Sequence, residues 1–151
     1  MKGSIPKQLI IDIVAGLFVL LFLYTAIMKL RDSHLFIASM SHTPILRPFA
    51  TFLAAVIPGV EIAISMLLFI PVTRFWGLLL ATGLMALFTL YVAWILYSMK
   101  KLPCSCGGVI QQMNWRQHLL FNFSFLVAGI VSILAYKKII AINRSSRTPA
   151  I

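Results

Sequence analysis

The sequence predicts an all-α integral membrane protein in which four transmembrane helices form one bundle. Hydrophobic residues make up 61% of the chain and charged residues only 11%, whereas roughly a quarter of the residues in a typical soluble domain are charged. The mean hydropathy is +0.99. The apolar residues also form long runs, which is typical of membrane spans. A single domain over residues 1–151 accounts for the whole pattern.

Four apolar runs are long enough to cross a bilayer, and they cover residues 9–28, 49–70, 75–97 and 119–136. Because a helix rises about 1.5 Å per residue, roughly twenty residues cross the hydrocarbon core. Transmembrane strands would show alternating polarity in segments of about ten residues, and these runs lack it, so helices are predicted. Small residues within the runs are predicted to lie where helices touch; these are Gly77, Gly83 and Gly129.

The basic residues predict the orientation in the membrane. Four spans place both termini on one side, which carries seven of the 13 Lys and Arg residues, while the two opposite loops carry the other six. Four of the seven follow the last span, and the positive-inside rule therefore favours cytoplasmic termini. The loop between the third and fourth spans then faces the periplasm of a bacterial inner membrane. The net charge of +10 suits anionic lipid headgroups and requires no nucleic acid.

The first outer loop, residues 29–48, is long enough for a short helix lying at the membrane interface. His34 and His42 fall in the same loop, and both are expected to face water or headgroups. The apolar face of the short helix is predicted to comprise Leu35, Phe36, Ile37, Met40 and Ile45.

Both cysteines of the chain, Cys104 and Cys106, lie in the loop between the third and fourth spans. Two thiols this close can work as a dithiol/disulfide couple or bind a soft metal ion. With a turn between them, cysteines two residues apart can reach the Cα separation of about 4.4–6.8 Å that a disulfide needs. Closing so short a loop removes little chain entropy, so the pair is predicted to exchange electrons and not to serve as a structural bridge.

The residues around the thiols suit this chemistry. Pro103 ends the third helix and keeps the chain extended before the first cysteine. Gly107 and Gly108 permit backbone angles that other residues avoid. Arg116 and the two lysines before Pro103 place positive charge near the thiols, which favours the reactive thiolate.

Glu61 lies within the second span, where a carboxylate is costly, by roughly 2.5–3.5 kcal/mol on insertion scales for Asp. The side chain is therefore predicted to face the interior of the bundle, with Asn122 and Thr89 as polar neighbours. In that position it can bond to a neighbouring helix or relay protons to the thiols.

These features together resemble the MauE branch of the DoxX-like membrane proteins over nearly the whole chain. The resemblance rests on the four spans and on short motifs: Lys29-Leu30 at the end of the first span, Pro58-Gly59-x-Glu61 in the second, Cys104-x-Cys106-Gly107 before the fourth, and Asn122 just inside it. Gly108 departs from the family, in which an aromatic residue is more usual. The resemblance implies a DoxX-like bundle with Cys104 and Cys106 as its redox pair. It further implies a thioredoxin-like periplasmic partner, as in the maturation of disulfide-containing proteins during methylamine utilisation.

Several alternatives remain open at this level. A quinone in the bilayer is one candidate for the second electron carrier, although Trp94, Tyr97 and Trp115 on the same membrane face are more typical of an interfacial aromatic belt. The direction of electron transfer is equally open. Soft-metal handling is a rival function, with ligands drawn from Cys104, Cys106, Met113 and His118. A membrane scaffold without redox chemistry is the second rival.

Overall fold

The computed structural model describes residues 5–98 and 115–145, and all the regular elements in this part of the chain are helices. They are α1 (Ile5–Arg31), α2 (Ser33–Ser41), a 3₁₀ turn (Arg47–Phe49), α3 (Ala50–Phe69), α4 (Arg74–Ser98) and α5 (Trp115–Ser145). Four of them, α1, α3, α4 and α5, are long and apolar enough to cross a membrane. The predicted fold class is confirmed.

The helices extend beyond the predicted apolar runs at most ends. The largest difference is in α5, which was predicted over 119–136 and continues to Ser145. Backbone hydrogen bonding sets the length of a helix, whereas hydropathy marks only the part that suits hydrocarbon. The basic residues Lys137 and Lys138 therefore continue α5 past its apolar run.

The four long helices form a ring in which each packs against two neighbours. Helices α1 and α4 each contact α3 and α5, and the diagonal pair α1 and α4 barely touch. The centre is filled by large apolar side chains from three of the helices, including Phe18, Phe22, Ile64, Leu68, Leu78 and Met85. Apolar side chains also cover the outside, where Leu20 is 69% and Leu90 is 70% exposed. Such an outer surface suits a lipid bilayer, where apolar side chains need no burial.

The turn between α3 and α4 shows how the chain satisfies backbone groups at a helix end. The Thr73 hydroxyl donates to the carbonyl of Leu67 at 2.9 Å, and Arg74 Nε donates to the carbonyl of Leu68 at 3.2 Å. Unsatisfied carbonyls are costly near hydrocarbon. These two side chains therefore allow α3 to end and α4 to begin within a few residues.

An ion pair joins α1 to α4 at this same end of the bundle. Arg74 Nη1 lies 2.5 Å from Asp12 Oδ1, and the Asp12 side chain is 46% exposed. Both residues lie in the first turns of their spans, close to the membrane surface, where water and headgroups screen an ion pair and it contributes little. We expect Asp12→Asn to lower the free energy of unfolding by at most about 1 kcal/mol, measured by thermal unfolding in detergent. A loss of several kcal/mol would contradict this interpretation.

The short helix predicted within residues 29–48 is confirmed as α2. Phe36 and Met40 are buried against Ala50 and Ala54 at the start of α3, so α2 packs on the bundle. Leu35 is 53% exposed on the outside of the bundle. The prediction was wrong for Ile45, because α2 ends at Ser41 and Ile45 is not part of the helix. His34 and His42 are exposed, as expected.

Two of the three glycines predicted at helix contacts do lie there. A Cβ atom on Gly77 would lie 2.9 Å from the backbone nitrogen of Leu68, and one on Gly129 would lie 2.3 Å from Thr82 Oγ1. The prediction was wrong for Gly83, whose position has no neighbour within 4 Å. Periodicity places a residue in a helix, but only the rotation of the helix decides which face meets a neighbour.

Candidate functional site

A cavity of about 220 Å³ lies inside the bundle, and all four long helices and α2 line it. Its wall is mainly apolar and rich in aromatic rings, among them Phe22, Phe36, Phe88 and Phe121. Six polar side chains also line it: Thr25, Lys29, Glu61, Tyr91, His118 and Asn122. A mostly apolar cavity with a few polar groups is the usual form of a small-molecule site.

An ion pair between Lys29 and Glu61 forms part of the cavity wall. Lys29 Nζ bonds Glu61 Oε1, joining the end of α1 to the middle of α3. The side chain of Lys29 is 12% exposed and that of Glu61 only 1%. The predicted inward orientation of Glu61 is confirmed, and the partner that neutralises it is a lysine from another helix.

Aromatic rings surround the ammonium group of Lys29. Its nitrogen lies 5.1 Å from the ring centre of Phe88 and 5.6 Å from that of Phe36. Ring faces attract cations at these distances, so α2 and α4 both hold the lysine in place. Packing of α2 on the bundle therefore helps to position the charge inside the cavity.

One oxygen of the carboxylate is left without a partner. Glu61 is fully buried, and among the described residues its Oε2 atom accepts no hydrogen bond; the Thr25 hydroxyl, which also lines the cavity, donates to the carbonyl of Phe22 at 3.2 Å. A second buried oxygen without a partner belongs to Ser132 on α5, which does not line the cavity. The Ser65 hydroxyl on the next turn of α3 donates to the backbone carbonyl of Glu61 at 2.8 Å and leaves the carboxylate untouched.

Of the two predicted polar neighbours of Glu61, only Asn122 lines the cavity. Asn122, 5% exposed, lines the same cavity from α5. Thr89 does not line the cavity, and its hydroxyl donates to the carbonyl of Met85 within α4 at 2.7 Å. His118, considered above as a metal ligand, lines the cavity beside Asn122. Groups of three or more His, Cys, Asp or Glu side chains that could hold a metal ion do not occur within residues 5–98 and 115–145.

The thiol pair was predicted as the reactive group, and it lies outside the described residues. This applies to Pro103, Cys104, Cys106, Gly107 and Gly108. The segment that contains them joins α4 to α5. The last turns of α4 and the first turns of α5 both line the cavity, through Tyr91 and Val92 and through His118, Phe121 and Asn122. The cavity and both attachment points of the segment are therefore at the same end of the bundle.

Three further predicted residues lie on the described helices but not in the cavity wall. Arg116 is exposed in the first turn of α5. Trp94 is 39% and Tyr97 94% exposed on α4, which fits the aromatic belt better than a ligand site.

Sequence reasoning missed Lys29 as the partner of Glu61. It treated this lysine as a loop charge at the end of the first span. The signal was present, because the chain has only three acidic residues, and a lone carboxylate inside a span requires a partner. The spacing of the two residues, 32 positions apart, gives no local pattern that identifies the pair.

Comparison with known proteins agrees with the architecture. Residues 7–135 match the protein family described as Methylamine utilisation protein MauE. Neither the curated proteins nor the solved structures contain a significant match. The family match covers three membrane spans, most of the fourth, the residues of the cavity and the Cys104-x-Cys106 segment, and the chain belongs to the MauE family as a multi-pass membrane protein.

Proposed function

We propose that this protein is a membrane-embedded thiol/disulfide redox protein, in which Cys104 and Cys106 exchange electrons with a thioredoxin-like partner. The observation that carries the proposal is that both cysteines of the chain lie in one short segment of the sequence, between the third and fourth membrane spans of a MauE-family protein. Maturation of disulfide-containing proteins, as in methylamine utilisation, is the process that this chemistry serves.

The exchange needs one reactive pair on each protein. A thiolate of the partner attacks the Cys104–Cys106 disulfide, forming a mixed disulfide and releasing the second cysteine as a thiolate. The partner's other thiolate then attacks the mixed disulfide, so the partner is oxidised and the pair becomes a dithiol. Two electrons move in this sequence, and the reverse sequence reduces the partner.

The proposed orientation places the thiol pair in the periplasm and the termini in the cytoplasm. The basic residues support it, with seven on the side of the termini against six in the opposite loops. Disulfides persist in an oxidising compartment such as the periplasm.

The test is acid-quenched thiol trapping in intact cells with a membrane-impermeant maleimide. We expect the wild-type protein to show both oxidised and reduced forms. One of the variants Cys104→Ser and Cys106→Ser should accumulate a disulfide-linked adduct on a non-reducing gel, and that adduct identifies the partner. The double variant should form none.

A matched control fixes the topology. In the double-serine background, Ser145→Cys places one thiol at the exposed end of α5. It should react with the impermeant reagent only after the cells are permeabilised, whereas Cys104 and Cys106 should react without permeabilisation once reduced. Thiols that remain reduced and trap no partner would exclude the redox proposal and leave metal binding or a scaffold role.

A further inference from the structure

The cavity offers a hydrogen-bond acceptor that the described chain does not use. Glu61 Oε2 is buried and has no donor within residues 5–98 and 115–145. Leaving a buried polar atom unpaired costs roughly 1–3 kcal/mol, and more when it is charged. A ligand that donates a hydrogen bond at this point would remove that cost.

Beside the acceptor, the cavity also offers donors. The ammonium group of Lys29 has three N–H bonds, and one of them is directed to Glu61 Oε1. The remaining donors lie among the rings of Phe36 and Phe88. A ligand oxygen next to the ion pair can therefore accept from Lys29, and a ligand hydroxyl can donate to Glu61.

Size and lining favour a six-membered ring. An apolar cavity of about 150 Å³ accommodates benzene, so the present cavity of about 220 Å³ has room for a ring with small substituents. Aromatic side chains from α1, α2, α4 and α5 form much of the wall, and such side chains pack well against a planar ring.

The opening of the cavity indicates where the ligand comes from. Leu87 lines the cavity and is 65% exposed, whereas the other lining side chains are buried or half-buried. It lies midway along α4, within a membrane span. The cavity wall therefore borders the lipid-facing surface there, which favours a ligand that is soluble in the bilayer.

We propose that this cavity binds the ring of a membrane quinone or its quinol, with one ring oxygen held by Lys29 and Glu61. The quinone carbonyl accepts a hydrogen bond from Lys29, and the quinol hydroxyl donates one to Glu61 Oε2. A lipid acyl chain would fill the apolar part of the cavity but would leave that oxygen unpaired. The quinol form satisfies that oxygen, and the quinone form still accepts from Lys29, so the redox couple fits the polar pair of the cavity.

Bound quinone would supply the second electron carrier of the thiol pair, a step that rests on the proposed function. Oxidation of the Cys104 and Cys106 thiols to a disulfide releases two electrons and two protons. Reduction of a quinone to its quinol takes up the same two electrons and two protons, and the reverse reaction is balanced in the same way. Binding itself requires no thiol.

The experiment measures binding of a short-chain ubiquinol analogue, kept reduced under anaerobic conditions, to the purified full-length protein with reduced thiols by calorimetric titration in detergent. An alkylbenzene with the same tail, which lacks ring oxygens, is titrated in parallel. We expect the wild type and the Cys104→Ser/Cys106→Ser variant to bind the quinol equally. Glu61→Gln should weaken binding at least about tenfold, because a hydrogen bond to a charged group is lost. Asp12→Asn, which breaks the other ion pair outside the cavity, is the matched control and should bind normally.

A second variant keeps the test valid if Glu61→Gln fails to fold. Leu53→Trp fills the cavity wall from α3 and leaves the ion pair intact, and it should abolish binding. Equal binding by all variants, or equally tight binding of the alkylbenzene, would overturn the quinone assignment. If quinone binding fails while thiol trapping succeeds, the proposed function stands with another electron carrier. If binding succeeds and trapping fails, the quinone site stands alone.

Discussion

Replacement of Lys29 by methionine is expected to destabilise the bundle by about 3–5 kcal/mol, because it leaves the buried carboxylate of Glu61 without its counter-ion. The side chain of Glu61 is only 1% exposed, so water cannot replace the lost partner. Glu61→Leu should cost a similar amount, since it leaves the ammonium group of Lys29 inside the bundle. Each loss is measured as the change in the free energy of unfolding in detergent.

The double variant Lys29→Met/Glu61→Leu tests whether the ion pair adds net stability or only prevents one charge from being buried alone. Replacing a buried ion pair by apolar side chains of similar volume is often neutral or stabilising, and we expect the double variant to lie within about 1 kcal/mol of the wild type. Asp12→Asn serves as the control, since its partly exposed pair should change stability little. Single effects that simply add in the double variant would contradict the interpretation.

The same double variant also shows what the ion pair is for. If it folds with the stability of the wild type, it retains the bundle and lacks the polar centre of the cavity. We expect it to lose quinone binding at unchanged stability. Preserved binding would mean that the polar pair is not part of the ligand site.

Gly77→Ala is expected to destabilise the bundle by about 1–3 kcal/mol, the usual cost of overpacking. The added Cβ would lie 2.9 Å from the backbone nitrogen of Leu68 and 3.0 Å from the carbonyl carbon of Leu67. Backbone atoms cannot rotate away, so α4 would have to move relative to the end of α3. Thermal unfolding of the purified variant measures the loss.

The other two glycines provide matched comparisons. In Gly129→Ala the new Cβ meets Thr82 Oγ1, a side-chain atom, and the further substitution Thr82→Ala should recover most of the lost stability. In Gly83→Ala the Cβ meets nothing within 4 Å. That variant should be as stable as the wild type or slightly more so, by up to about 1 kcal/mol from helix propensity. Equal changes of stability in all three variants would contradict the assignment of the losses to contacts at Gly77 and Gly129.

The sequence alone predicts the four helices and the class of protein. A span is recognised because each apolar residue contributes independently to the free energy of transfer into lipid, so about twenty of them in a row are enough to predict a membrane helix. The inward orientation of Glu61 follows from the same local argument, since the cost of a charge in hydrocarbon does not depend on which partner neutralises it. The family match over residues 7–135 agrees with these arguments.

The choice of partners could not be predicted in this way. Lys29 pairs with Glu61 from 32 positions away, and Asn122, but not Thr89, reaches the cavity. Gly129 meets a neighbouring helix while Gly83 faces open space. Each outcome depends on how far a helix is rotated and how deeply it is inserted, and residues of the same type occur on every face.

The amino-acid sequence was enough to predict that this chain crosses the membrane with four helices, that Glu61 lies inside the bundle, and that both cysteines occur in one segment between the third and fourth spans. The packing of the helices was needed to find that Lys29 neutralises Glu61, that α2 packs over this pair, and that a ring-sized cavity with one unpaired carboxylate oxygen lies beside it. The difference arises because the free energy of transfer into lipid is a sum over single residues, whereas a cavity and its polar pairs exist only where side chains from several helices meet.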